Sequence, residues 1–172
     1  MAWKTGDIVV HKHVGICRIR SVSELNMSHD GPRRYYVLTP LYDQGTTLYT
    51  PCDQAEHQLR DPLNREDIDS LIDGMPQHHT DWISDEKARQ RYLTGIVRSG
   101  NHENLLAAVS ALYDKRKEQT ARGRKFHSSD ARFLEEAETS INREFAYVLG
   151  VQPDDVPAYI RKRLKELRTA KA

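Results

Sequence analysis

The sequence predicts an α+β chain, a small β-barrel followed by an all-α helical domain of about five helices. Three observations predict it. Up to about residue 61, short runs of β-forming residues are punctuated by Gly, Pro and Asp turn signals. From Asn64 onward, apolar residues recur at helical spacing between polar caps and glycine stops. At 172 residues, 38% of them hydrophobic and 30% charged, the chain suits one domain or two small ones with limited cores.

The opening Lys4-Thr5-Gly6-Asp7 reads as a glycine turn, Ile8-Val9-Val10-His11 as a strand, Val14-Gly15 as a second turn and Ile16-Cys17 as the start of a second strand. Ile8 and Val10 fall on one face of the first strand, Val9 and His11 on the other. Arg20 to Leu25 continues the second strand toward a turn at His29-Asp30-Gly31-Pro32. Arg34 to Thr39 is rich in β-formers, and Pro40 assigns it to an edge or a bend. Asp43-Gln44-Gly45 is a hairpin signal leading into Thr46–Thr50, which Pro51 closes, and a short fifth strand falls around Gln58 to Arg60. Five short strands in this length suit an SH3- or Tudor-like barrel, which limits exposed edges by curling.

In the helical part Asn64 caps a short helix in which Ile68, Leu71 and Ile72 share a face, stopped by Gly74-Met75-Pro76. Gln77 to Asp81 is a polar linker. Ser84 caps a helix to about Arg98, with Ser99-Gly100 as its stop. Asn101 caps the next, in which Leu105, Val109 and Leu112 have helical spacing and which Gly123 ends. Ser128 or Ser129 caps a helix with Leu134, Ala137, Ile141 and Phe145 on one side and Gly150 at its end. Pro153 opens a last helix with Val156, Ile160 and Leu164 on one face. The domains are therefore 1–61 and 62–172.

Composition narrows function. No run reaches the roughly 18 apolar residues of a membrane span, no basic-then-apolar signal segment opens the chain, and two cysteines, Cys17 and Cys52, are too few for a disulfide scaffold, so a reduced cytoplasmic state is expected. The net charge of +1 hides a bias: Trp82 to Phe126 holds ten Lys/Arg against five acids, whereas 1–62 balances at seven and seven. That segment suits a polyanion such as DNA, or is a set of solvated helix faces. His11 and His13 share a strand face near Cys17, and Cys52 or His78-His79 would complete a zinc set, yet ligand spacing is irregular, so no metal is expected. Phosphate loops, nucleophile elbows and His-Glu-x-x-His are absent, so neither an enzyme nor a cofactor is expected. Tyr35, Tyr36, Tyr42 and Tyr49 are either packing residues or an aromatic cage for a methylated amine. Trp82, between a polar linker and a capped helix, is either a seal between barrel and helices or a side chain presented to a partner.

Gly6-Asp7-Ile8-Val9-Val10-His11 with His13-Val14-Gly15-Ile16, then Tyr35-Tyr36-Val37-Leu38, a turn, a strand and Pro51, then Trp82-Ile83, Tyr92, Ser99-Gly100-Asn101, Leu112-Tyr113, the basic stretch through Lys125 and Ser128 to Gly150 together resemble the CarD/CdnL family of bacterial transcription regulators. The tail, Phe145 to Val151 with Val156-Pro157-Ala158-Tyr159-Ile160, is similar to the Firmicutes-type branch. The resemblance implies a Tudor-like barrel docking on the β subunit of RNA polymerase, a helical domain reaching promoter DNA, and a stabilised open complex with no reaction catalysed. It implies DNA contact by Trp82, Lys87, Arg89, Arg91, Arg122, Arg124 and Lys125. It implies polymerase contact by Arg34, Tyr36, Leu48 and Tyr49, through an edge strand near 34–39 or 46–50. Better-known members carry two Arg soon after the Trp, where Ile83-Ser84-Asp85-Glu86 stand here, and some carry an Arg at the position of Tyr49.

The reading is a non-enzymatic regulator that links two modest contacts, polymerase and DNA, on one chain. Its rivals are a polymerase-binding module without DNA contact and a Tudor-like reader of a modified side chain. The sequence leaves the oligomeric state open, a monomer being the expectation.

Overall fold

Gly15, at φ +89°, turns the chain back from β1 (Ile8–His11) into β2 (Gly15–Leu25), a conformation a side chain would strain. The computed structural model describes residues 2–27 and 29–172, which divide into two units, Met1–Leu63 and Asn64–Ala172. In the first, β3 (Arg33–Pro40) and β4 (Leu48–Pro51) follow β2, a 3-10 turn (Cys52–Gln54) leads into the one-turn helix α1 (Ala55–Gln58), and β5 (Leu59–Arg60) ends the run. The strands form one sheet in the order β4-β3-β2-β1-β5, each pair antiparallel.

Two expectations change here. Among the described residues no pairing joins β4 to β5, so the sheet is open and the closed barrel is not formed. β3 lies between β2 and β4, so of the two stretches expected at an edge, 34–39 is interior and 46–50 holds the edge strand β4, with β5 at the opposite edge. Pro40 is tolerated there because it sits at the end of β3, beyond the last β4 pair at Leu38.

The β core joins Val9, Cys17, Ile19, Tyr36, Leu38, Ala55 and Leu59. A bulge keeps it continuous. Ile19 faces Leu38 but Ser21 faces Val37, leaving Arg20 as the extra residue. Strand alternation would otherwise turn Ser21 and Ser23 inward; after the bulge Val22 faces Tyr36 and packs on the core. Trp3 packs on this core edge-on to Tyr36, and its indole N–H donates to Asp61 at 2.7 Å, tying the start of the unit to its end.

The second unit holds α2 (Arg65–Gly74), α3 (Glu86–Ser99), α4 (His102–Ala121), α5 (Ser128–Leu149), a 3-10 turn (Pro153–Asp155) and α6 (Val156–Ala170). Asn64 and Asp67 make a capping box for α2, and Asn101 caps α4. Asp85, not Ser84, caps α3, and His127, not a serine, caps α5: each accepts from a backbone N–H two or three residues on. Gly100 and Gly150 end α3 and α5 in the left-handed region. The core of α3, α4 and α5 is Leu93, Ile96, Ala108, Leu112 and Leu134, and Ile68, Ile72 and Val156 are fully buried on α2 and α6.

A polar clamp fastens α6 to α2. Tyr159 and Arg163, one turn apart, meet Asp69 and Asp73, also one turn apart: the Tyr159 hydroxyl donates to Asp69 at 2.7 Å and Arg163 forks onto Asp73 at 2.5 and 2.7 Å. The Arg163 hydrogen bonds hold the Asp73 carboxyl below its usual range. A depressed folded value means the clamp contributes fully above the unfolded carboxylate pKa of about 3.9 and fades as pH falls through the folded value. Asp73→Asn should cost about 1 kcal/mol near neutral pH, solvent screening keeping a partly exposed pair that small. The gap to the parent chain should close in acid. Urea unfolding at neutral and acid pH measures both, and an equal gap at the two would contradict the clamp.

Candidate functional site

Arg89 stands at a core position of α3, with Leu93 and Ile96 at helical spacing on the same buried face. A cation there must be matched. Its Nε donates to Asp130 Oδ1 at 2.9 Å and Nη2 to Oδ2 at 2.7 Å, a bidentate pair 6% and 1% exposed by residue. Its remaining nitrogen, Nη1, donates to the carbonyls of Ile83 at 2.9 Å and Ser84 at 3.3 Å. Gln90 completes the group, donating to Asp130 at 2.9 Å and Ser129 at 3.1 Å.

This group sets the place of Trp82. The Arg89 guanidinium lies over the indole, 4.6 Å from its centroid, and the Lys115 ammonium at 5.4 Å. Trp82 is half-buried against the core of its own helical unit. Beside it a shallow open cleft is lined by Thr80, Asp81, Ile83, Tyr92 and Ala111. Arg89 therefore has no free donor face for a phosphate and acts as a support. Its place beside Leu93 and Ile96 is the signal that would have revealed this from sequence; the charge of the side chain masked it.

The other cations are exposed. Lys87 and Arg91, one turn apart, share a face of α3 opposite to Arg89, and Arg98 continues it. Arg122, Arg124 and Lys125 flank Gly123 in the loop between α4 and α5, with Arg122 3.4 Å from Glu118. Lys87 and Arg91 are brought to the same end of the unit as the loop cations: Glu86, beside Lys87, is 3.1 Å from His127, two residues past Lys125. Helix starts α3 and α5 thus sit side by side, tied also by Arg89 to Asp130 and Gln90 to Ser129.

In the β unit the four expected contact residues separate. Tyr49 on the edge strand is 46% exposed and Arg34 is exposed, whereas Leu48 packs partly on the core. Tyr36 is 5% exposed, a core residue opposite Thr50 and edge-on to Trp3, so it is closed to a partner. Tyr35 and Tyr36 are neighbours on β3 and point to opposite faces, both buried, while Tyr42 and Tyr49 are exposed. Four tyrosines so divided do not line one aromatic cage.

Among the described residues no group of three or more His, Cys, Asp and Glu is arranged to hold a metal. His11 is buried and accepts from the His13 N–H through Nδ1 at 3.2 Å; burial, then the neighbouring His13, lowers its pKa. Burial pushes the Cys17 thiol up to about 11, so it is inert near neutral pH.

Arg89→Ala should leave the Asp130 carboxylate buried without its cation and cost about 3–5 kcal/mol. Replacing both at once, Arg89→Met with Asp130→Leu, should cost far less. Thermal unfolding compares the two. In a Trp3→Phe background, where Trp82 is the remaining one of the two tryptophans, its emission should change in both variants because the stacked cation is gone. Equal losses of stability in the two variants, or an unaltered emission, would contradict the assignment.

No curated protein matches the chain significantly. Residues 3–62 match the family model described as CarD-like/TRCF RID domain. The match runs from Trp3 to the residue after Asp61, the two ends that the indole hydrogen bond joins, and so covers the β unit. Over residues 3–62 the chain is therefore similar to the CarD-like/TRCF RID domain, a likeness to an RNA-polymerase-interacting family that covers the β unit and stops short of the helical one.

Proposed function

We propose that the chain is a non-enzymatic transcription regulator that binds the RNA polymerase β subunit through its β unit and promoter DNA through its helical unit, stabilising the open complex in the cytoplasm. The observation that carries the first half is the CarD-like match over residues 3–62 together with an open edge strand, β4, bearing exposed Tyr49. An unpaired edge offers backbone donors and acceptors to a partner strand, with Tyr49 and Arg34 as side-chain contacts. The Tudor-like description of this unit, and the Firmicutes-type branch, rest on the resemblance.

The second half is supported by the exposed cations Lys87, Arg91, Arg122, Arg124 and Lys125, gathered where α3 and α5 begin, beside the half-buried Trp82. Long basic side chains reach phosphates without reading bases, and the exposed part of the indole is available to a groove. Arg89 holds Trp82 from behind and contacts no phosphate. No helix among the described residues is long and apolar enough to cross a membrane. A second reading, a polymerase-binding module without DNA contact, is favoured by the packing of Trp82 into its own unit's core.

One paired experiment tests the proposal. Alanine at Lys87, Arg91, Arg122, Arg124 and Lys125 should flatten the salt dependence of duplex binding, about 0.9 in log–log slope per lost phosphate contact, while capture of the polymerase β subunit persists. Tyr49→Glu, which places a charge on the β4 edge, should do the reverse. A basic-patch variant with the parental slope would favour the second reading; undiminished capture by Tyr49→Glu would move the polymerase face off β4.

A further inference from the structure

Helix α6 carries Arg161, Lys162, Arg163, Lys165 and Arg168 against one acid, Glu166. Two of these cations are already matched. Arg163 is held by Asp73 and Asp69 on α2, and Lys162 lies 4.0 Å from Glu166. Arg161, Lys165 and Arg168 are exposed, and none has an acidic partner within 4.0 Å among the described residues. Elsewhere in the unit Arg132 pairs with Glu136 and Lys115 with Glu118, whereas the exposed Lys87, Arg91, Arg124 and Lys125 are, like these three, without an acid within 4.0 Å among the described residues.

The three free cations form a stripe. At 3.6 residues per turn they lie about 180–240° around the axis from Tyr159, and so away from the clamp that fastens α6 to α2. They cover about 10 Å along the axis, the rise of about three nucleotides of one strand. The opposite side of the helix is held by Tyr159 and Arg163, which makes the stripe a rigid platform.

We infer that this stripe is a second phosphate-contacting surface of the helical unit, which takes the backbone of duplex nucleic acid. The inference rests on the reading of that unit as the DNA-contacting one. Charge complementarity selects the partner. The stripe holds no apolar residue to enter a lipid surface, which a membrane-binding helix needs on its exposed face. Sequence is not read: three flexible cations on a straight helix meet phosphates, not base edges.

The test uses the full chain and a labelled duplex of arbitrary sequence, titrated over a range of salt. Arg161→Gln, Lys165→Gln and Arg168→Gln together keep good helix formers at exposed positions, so circular dichroism and melting should match the parent. The log–log salt slope should fall by about 2–3, with binding weakened most at low salt. A parental slope in this variant, with a reduced slope in the Arg122, Arg124 and Lys125 alanine variant, overturns the inference and leaves the proposed function standing. A full chain that binds no duplex even at low salt overturns both. Binding to vesicles of anionic phospholipid that the glutamine changes abolish, while duplex binding persists, also overturns it.

Discussion

The buried pair of Arg89 and Asp130 is the interaction on which the helical unit's surface depends. A guanidinium at a core position of α3 is tolerated because a carboxylate at the start of α5 accepts two of its hydrogen bonds and two backbone carbonyls accept the others. Those carbonyls belong to Ile83 and Ser84, immediately after Trp82. One side chain therefore joins two helix starts, fixes the incoming loop and stacks on the indole. The exposed cations Lys87, Arg91 and Lys125 flank this junction, so their placement follows from a buried group.

In the β unit the corresponding constraint is parity. Cys17 and Ile19 face the core at odd positions and Val22 faces it at an even one, which a regular strand does not allow. The bulge at Arg20 resolves the conflict and lets one long strand keep its apolar side inward along its length. With β2 and β3 pairing this way, β4 is left at the rim, short and unpaired on its outer side. The family match and the open edge fall on the same unit.

Much of this is legible in the residues, and the exceptions have physical causes. The hairpin at Gly15, the helix stops at Gly100 and Gly150 and the Asn64 and Asn101 caps follow from local backbone chemistry, and the chain adopts them. Whether β3 is interior is not local; it depends on which strands pair, so Pro40, which signals an edge or a bend, marks only the end of the strand. In the sequence Tyr36 is open between packing and partner contact, and its register opposite Thr50 and its contact with Trp3 decide for packing. Arg89 reads as a surface cation because charge outweighs spacing in such a reading, although Leu93 and Ile96 mark its face as buried. Its partner Asp130 is 41 residues away, beyond any periodicity argument.

The two proposed surfaces, one on each unit, fit a net charge of only +1. Neither contact needs to be tight when the other raises its effective concentration. Linkage of the two proposed contacts on one chain is thus the central claim, and the lifetime of an open promoter complex tests it most directly. The full chain should prolong that lifetime, and an equimolar mixture of segments 1–63 and 64–172 should not. Equal prolongation by the mixture, or none by the full chain, would contradict it.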